Sequence, residues 1–260
     1  MIPQSPPNSP HPSHVPDSPF ELASERLIVA LDVPTAEAAL ALADKLEDQC
    51  RWFKVGLELY IAAGPAIVEK LAGRGHSIFL DLKLHDIPNT VAAAVRSASS
   101  LGAGMLTIHA AGGPAMLAAA QEALGGLASP PQLLAVTVLT SMDAPQLAAI
   151  GVSNPPLEQV ALLAKLGLEA GIRGFVCSPQ EVDALRALTG PEGVLVTPGI
   201  RPAGAEKGDQ QRIATPTYAL DRGASYLVVG RPITQAADPA LAAEAILLEI
   251  AEALSIAPTE

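Results

Sequence analysis

The chain has 260 residues, 49% hydrophobic and only 17% charged, enough apolar material for one large core such as a single α/β barrel domain of roughly 230 residues. A net charge of -11 without any Lys/Arg-rich run excludes wholesale nucleic-acid binding, so an anionic ligand must be held by local groups. Cys50 and Cys177 lie far apart and outside any Cys-x-x-Cys pattern, which argues against a disulfide framework or zinc site and suits a reducing cytoplasm, and neither a membrane-spanning stretch nor a secretory leader is expected.

Residues 1–20 contain seven prolines and four serines and little that could join a core. A flexible, disordered tail over residues 1–22 is therefore expected, with the folded domain occupying 23–260. Strand 27–31 follows and ends at Asp32. Helix 35–48 leads to strand 52–55, which carries Lys54, and helix 64–72 to strand 77–82. Helix 88–100, strand 105–108, helix 114–124, strand 133–139, helix 157–170 and strand 174–177 continue the alternation. Helix 179–188, strand 194–197, helix 216–222, strand 226–229 and helix 239–254 complete it. Eight βα units without a long insertion predict a closed parallel (β/α)8 TIM barrel rather than an open doubly wound sheet. No Gly-x-Gly-x-x-Gly follows the first strand, which weakens a dinucleotide-binding reading.

The third strand runs into the most informative segment, Asp81-Leu82-Lys83-Leu84-His85-Asp86-Ile87-Pro88-Asn89-Thr90. Strand alternation projects Asp81 and Lys83 to one side. Pro88 suits a first helical turn, with Asp86 near the cap and Thr90 one turn along. Taken alone, an ion pair followed by a capping acid would account for this pattern. Barrel geometry decides otherwise, because catalytic residues of this architecture sit where strands end at the C-terminal mouth. Asp32, Lys54, Asp81, Lys83, Thr140, Arg201 and Arg231 all fall at or just beyond such ends, and surface solvation gives no reason for that coincidence.

The ends of strands 7 and 8 commonly hold phosphate in this architecture. Here they read Thr197-Pro198-Gly199-Ile200-Arg201 and Val229-Gly230-Arg231-Pro232. Gly230 permits close backbone approach, and two arginine forks suit phosphate oxygens. A phosphorylated substrate is expected.

Seven ordered segments now resemble one family. Ala30-Leu31-Asp32, Phe53-Lys54-Val55-Gly56, the 81–90 decapeptide, Val136-Thr137-Val138-Leu139-Thr140-Ser141, Thr197 to Arg201, Asp209-Gln210 and Val229 to Pro232 are similar to the motifs of bacterial-type orotidine 5'-phosphate decarboxylases. The resemblance covers nearly everything after the tail. It implies loss of CO2 from orotidine 5'-phosphate to give UMP, the last step of de novo pyrimidine synthesis, without metal or organic cofactor. Catalysis is then expected from Lys83, Asp81, Asp86, Lys54 and Asp32, with Lys83 stabilising the developing carbanion and protonating C6. Asp32 and Lys54 also contact ribose, Thr140 lies by the pyrimidine, and Gln210, Gly230, Arg231 and Arg201 serve the phosphate. Asp86 and Thr90 enter the neighbouring subunit's site, which implies a homodimer.

His109 lacks a second histidine at ligand spacing and reads as scaffold, as does His85; Cys177 has no identifiable base and reads as structural. Two rival functions stand beside the main one. A metal-dependent sugar-phosphate decarboxylase or aldolase of the same barrel superfamily generally carries an acid where Lys54 stands here. A noncatalytic phosphoribosyl-nucleotide binder is expected to lack Lys83 or Asp86.

Overall fold

The computed structural model describes residues 18–202 and 214–256. Eight parallel strands close into a barrel in chain order. They are β1 (Leu27–Ala30), β2 (Trp52–Gly56), β3 (Ser77–Leu84), β4 (Met105–His109), β5 (Gln132–Val136), β6 (Gly174–Val176), β7 (Val194–Thr197) and β8 (Tyr226–Val229). β1 closes the ring by pairing with both β2 and β8. The expected (β/α)8 barrel is therefore the fold observed.

Period-two alternation divides each strand between two cores. Ile28, Ala30, Phe79, Met105, Leu134, Val196 and Val228 point inward and pack with one another, closed beneath by Trp52 edge-on to Tyr226 at 5.6 Å. The alternate residues, Leu27, Val29, Phe53, Val55, Ile78, Leu80, Leu106 and Phe175 among them, face the helices. An apolar plug at the barrel centre leaves the C-terminal mouth as the end where inward polar side chains can gather.

Helix starts follow the capping chemistry of the sequence. Thr35 accepts from the Ala38 N–H at 3.2 Å, and Thr215 from the Tyr218 N–H at 3.2 Å, each satisfying a donor that the first helical turn leaves unpaired. The Pro88–Ser99 helix has proline in its first turn.

Several boundaries differ from the sequence expectation. Residues 19–22, assigned to the tail, belong to the helix Pro19–Arg26, started by Ser18, whose hydroxyl accepts from the Glu21 N–H at 3.2 Å. Ser18-Pro19 is a cap followed by a first-turn proline, a signal hidden within a proline-rich window. Residues 1–17 of the expected tail lie outside the described residues. Short helices Leu57–Ala63, Ala144–Ala149 and Arg231–Thr234 were not expected. The first begins directly after β2 with no polar punctuation. β5 ends at Val136 rather than 139, and β3 continues two residues past 82, through an irregularity between Leu80 and Leu84.

Candidate active site

Four charged residues at the mouth form a line of alternating sign. Lys54 Nζ lies 2.7 Å from Asp32 Oδ1 and 3.8 Å from Asp81 Oδ2. Lys83 Nζ donates to both carboxylate oxygens of Asp81, at 2.8 Å each. Lys54 and Asp81 are buried, with residue exposures of 8% and 9%. Such burial is costly for a lone ion, and here each of the two has oppositely charged neighbours on either side. Lys83 and Asp32 are more exposed and form the ends of the line.

Backbone features make this packing possible. A Cβ on Gly56 would stand 2.8 Å from Lys54 Nζ and 3.1 Å from Asp32 Oδ1, so glycine leaves the space in which the ammonium meets the carboxylate. Gly199 has φ +84°, a conformation that side-chain-bearing residues rarely adopt, and it turns the chain after β7 so that the Arg201 N–H pairs with the Ala214 carbonyl at 2.9 Å. Lys83 itself has φ +50°, the only positive φ on a non-glycine among the described residues. Its N–H donates to Thr107 Oγ1 at 2.8 Å, and Thr107 Oγ1 donates to Asp81 Oδ1 at 3.0 Å.

These charges open onto a cavity of about 480 Å³. Asp32, Lys54, Asp81 and Lys83 line one part of it, and Arg201, Gly230, Arg231, Thr234 and Gln235 another. Apolar Phe79, Val136, Val138, Leu139 and Val176 contribute to its walls beside Thr140. Burial, and secondarily the positive charge of Arg231, push the Arg201 guanidinium below its usual range. Two cations sharing one wall repel each other, and a multiply charged anion between them would relieve that repulsion.

The structure thus brings together eight of the expected site residues: Asp32, Lys54, Asp81, Lys83, Thr140, Arg201, Gly230 and Arg231. It does not bring Asp86 and Thr90 to this cavity; both are exposed beside the start of the Pro88–Ser99 helix. Ile87 occupies the cap position, and Asp86 Oδ1 accepts from the Ile87 N–H at 2.6 Å. Gln210 lies outside the described residues. Thr107, Thr234 and Gln235 were not anticipated. A polar residue at an inward position, flanked by apolar Leu106 and Ile108, was the available signal for Thr107. For Thr234 and Gln235 it was their spacing of three and four from Arg231.

His85 and His109 stack at 5.2 Å with a 26° interplanar angle. Burial first, then the charges of His85 and Lys83, lower the His109 pKa, which keeps its ring neutral near pH 7. Neither ring lines the cavity. Among the described residues no group of three or more His, Cys, Asp or Glu is placed to hold a metal ion, and no helix is long and apolar enough to cross a membrane. Cys177 is buried, and the Ser178 N–H that follows it donates to Glu181 Oε2 at 2.8 Å.

Comparison with known proteins points the same way. The model of the orotidine 5'-phosphate decarboxylase / HUMPS family matches residues 25–246. An orotidine 5'-phosphate decarboxylase of Nitrosococcus oceani is 56% identical over 230 residues, covering 88% of this chain and 99% of that protein. One of Pseudomonas aeruginosa is 54% identical over 225 residues, covering 86% and 97%. Among solved structures, the orotidine 5'-phosphate decarboxylase of Lactobacillus acidophilus superposes with a TM-score of 0.76 at 41% identity, covering 87% of this chain and 99% of that one.

Proposed function

Because the chain belongs to the orotidine 5'-phosphate decarboxylase / HUMPS family, we propose that this enzyme converts orotidine 5'-phosphate to UMP and CO2 at the barrel mouth, completing pyrimidine nucleotide synthesis without a cofactor. The observation that carries the reading is the ammonium of Lys83, held at 2.8 Å by both oxygens of Asp81 at the end of the Asp32–Lys54–Asp81 line.

The chemistry asks for such an arrangement. When the bond between C6 and the carboxylate breaks, CO2 departs and the electron pair stays on a ring carbon that no adjacent carbonyl stabilises well. A fixed cation beside C6 lowers that barrier, and Lys83 then transfers a proton from Nζ to C6, becoming a neutral amine. Asp81 keeps the lysine charged and aimed before the reaction. Asp32 and Lys54 fix Asp81 in turn and reach the ribose hydroxyls. Phosphate binds between Arg201 and Arg231 near Gly230, with Gln210 added from outside the described residues. Its binding energy is spent on holding the ring against the charged line, remote from the breaking bond.

We assign Asp86 and Thr90 to the cavity of a second copy. Two observations support a homodimer on that side: both residues are exposed, and Leu57, Ile61 and Ile87 are exposed large apolar side chains at 49%, 79% and 66%. Leu57 and Ile61 follow β2, and Ile87 follows β3, so they stand beyond the C-terminal ends of neighbouring strands. Two buried cysteines, neither in a disulfide, suit a cytoplasmic setting. The metal-dependent sugar-phosphate alternative is less well supported, because Lys54 already answers Asp32 and Asp81, the carboxylates a divalent cation would need.

The test is a decarboxylation assay on chelator-treated protein, followed by the loss of ultraviolet absorbance as orotidine 5'-phosphate is consumed. Turnover is expected to persist. Activity appearing only on addition of magnesium would sink the assignment in favour of the metal-dependent alternative.

A further inference from the structure

β3 and β4 pair at Phe79 with Met105 and at Leu80 with Leu106, and next at Leu84 with Ile108. Between the last two pairs β3 advances four residues (84 less 80) while β4 advances two (108 less 106). The surplus is a bulge, and it contains Asp81 and Lys83. A bulge takes backbone N–H groups out of the regular ladder, and a buried N–H must find another acceptor.

Thr107 is the β4 residue opposite that surplus. It is 0% exposed and does not line the cavity. Its hydroxyl is used in both directions: it accepts from the Lys83 N–H at 2.8 Å and donates to Asp81 Oδ1 at 3.0 Å. Lys83 meanwhile sits at φ +50°, a left-handed conformation that is strained for a lysine and persists only where its surroundings hold it. One hydroxyl therefore touches both the strained backbone that launches the lysine side chain and the carboxylate that receives its ammonium.

We infer that Thr107 is a positioning residue for decarboxylation: its hydroxyl locks the left-handed bulge at Lys83 and the orientation of Asp81, and so sets where the ammonium points. The inference rests on the reading of Lys83 as proton donor. A methyl in place of the hydroxyl keeps the shape of the side chain but strands the Lys83 N–H and removes a donor from Asp81. A side chain there for packing alone would tolerate that exchange.

The experiment compares Thr107→Val and Thr107→Ser with the unaltered protein in turnover of orotidine 5'-phosphate, UMP binding and thermal melting. Thr107→Val is expected to lose on the order of 100-fold in kcat, the scale of a misplaced catalytic group, while KM and UMP affinity stay within about threefold. Thr107→Ser, which keeps the hydroxyl, is expected to recover most of the loss. Wild-type kcat in Thr107→Val, or a Thr107→Ser as impaired as Thr107→Val, would overturn the inference. A measurement on the unaltered protein guards against a variant that does not fold. The Lys83 amide should exchange with solvent as slowly as its neighbours in β3, and exchange at the rate of an exposed loop would overturn the contact itself. Failure of the unaltered protein to consume orotidine 5'-phosphate would remove the parent reading as well, whereas full turnover by both proteins would remove this inference alone.

Discussion

Lys83 stands at the end of the charged line, with Asp81 the only carboxylate paired with its ammonium among the described residues, while Arg201 and Arg231 line another part of the cavity. Substituting Lys83 with alanine therefore removes the proposed proton donor and leaves in place the two arginines proposed for phosphate. Turnover is expected to become undetectable, with UMP binding still measurable by calorimetry; retained turnover would contradict the assigned role. Asp32, Lys54, Asp81 and Lys83 were legible in the sequence because a charge at the end of an apolar strand is conspicuous and costly. Thr107 was not, since threonine is common in strands on packing grounds alone. Nor was the demand for glycine at 56, which comes from a lysine two residues earlier folding its ammonium over that position.

At the scale of elements, the eight strands were readable because short β-branched runs alternate with Ala/Leu-rich segments, and the barrel followed from their number and spacing. What escaped is what depends on contact between elements. The bulge in β3 is one case, invisible because alternation alone would place Asp81 and Lys83 together without it. Arg186, in the helix Val182–Thr189, is another. Its guanidinium donates to the carbonyls of Gly190 and Gly193 at 2.7 Å each and of Gly223 at 3.1 Å, and to Ser225 Oγ at 3.1 Å. It thereby ties the end of its own helix to the entries of β7 and β8, the strands that lead to Arg201 and Arg231. Several carbonyls lose a charged donor together if it goes, so Arg186→Ala is expected to cost about 3 kcal/mol of stability. Arg186→Lys should recover only part, because one ammonium cannot reproduce the planar fork. Denaturant midpoints at constant m-value would measure both; an alanine variant as stable as the parent would show that water replaces these bonds.

At the scale of the molecule, one barrel presents an alternating charge line and a pair of arginines on a shared cavity, yet leaves two of the ten expected described residues, Asp86 and Thr90, outside it. The decapeptide places Asp86 only five residues from Asp81, yet Asp86 is exposed just before the Ile87 cap and does not reach the cavity that Asp81 lines. Strand and helix spacing do not tell which copy of a site a residue serves; it was the family resemblance that assigned these two to the neighbouring subunit. A twofold assembly makes a sharp prediction here, because each site would combine Asp81 from one protomer with Asp86 from its partner. Homodimers of Asp81→Asn have two damaged sites, and so do homodimers of Asp86→Asn. A mixed dimer has one site with both defects and one with neither. Random exchange in an equal mixture makes half the dimers mixed, each with one intact site of two, so activity should rise to about a quarter of the parent value. Subunit exchange is verified by native mass spectrometry of differently tagged chains, and activity is read in the same absorbance assay. Exchange without recovery would mean that Asp86 acts within its own chain or not at all, and that each barrel works alone.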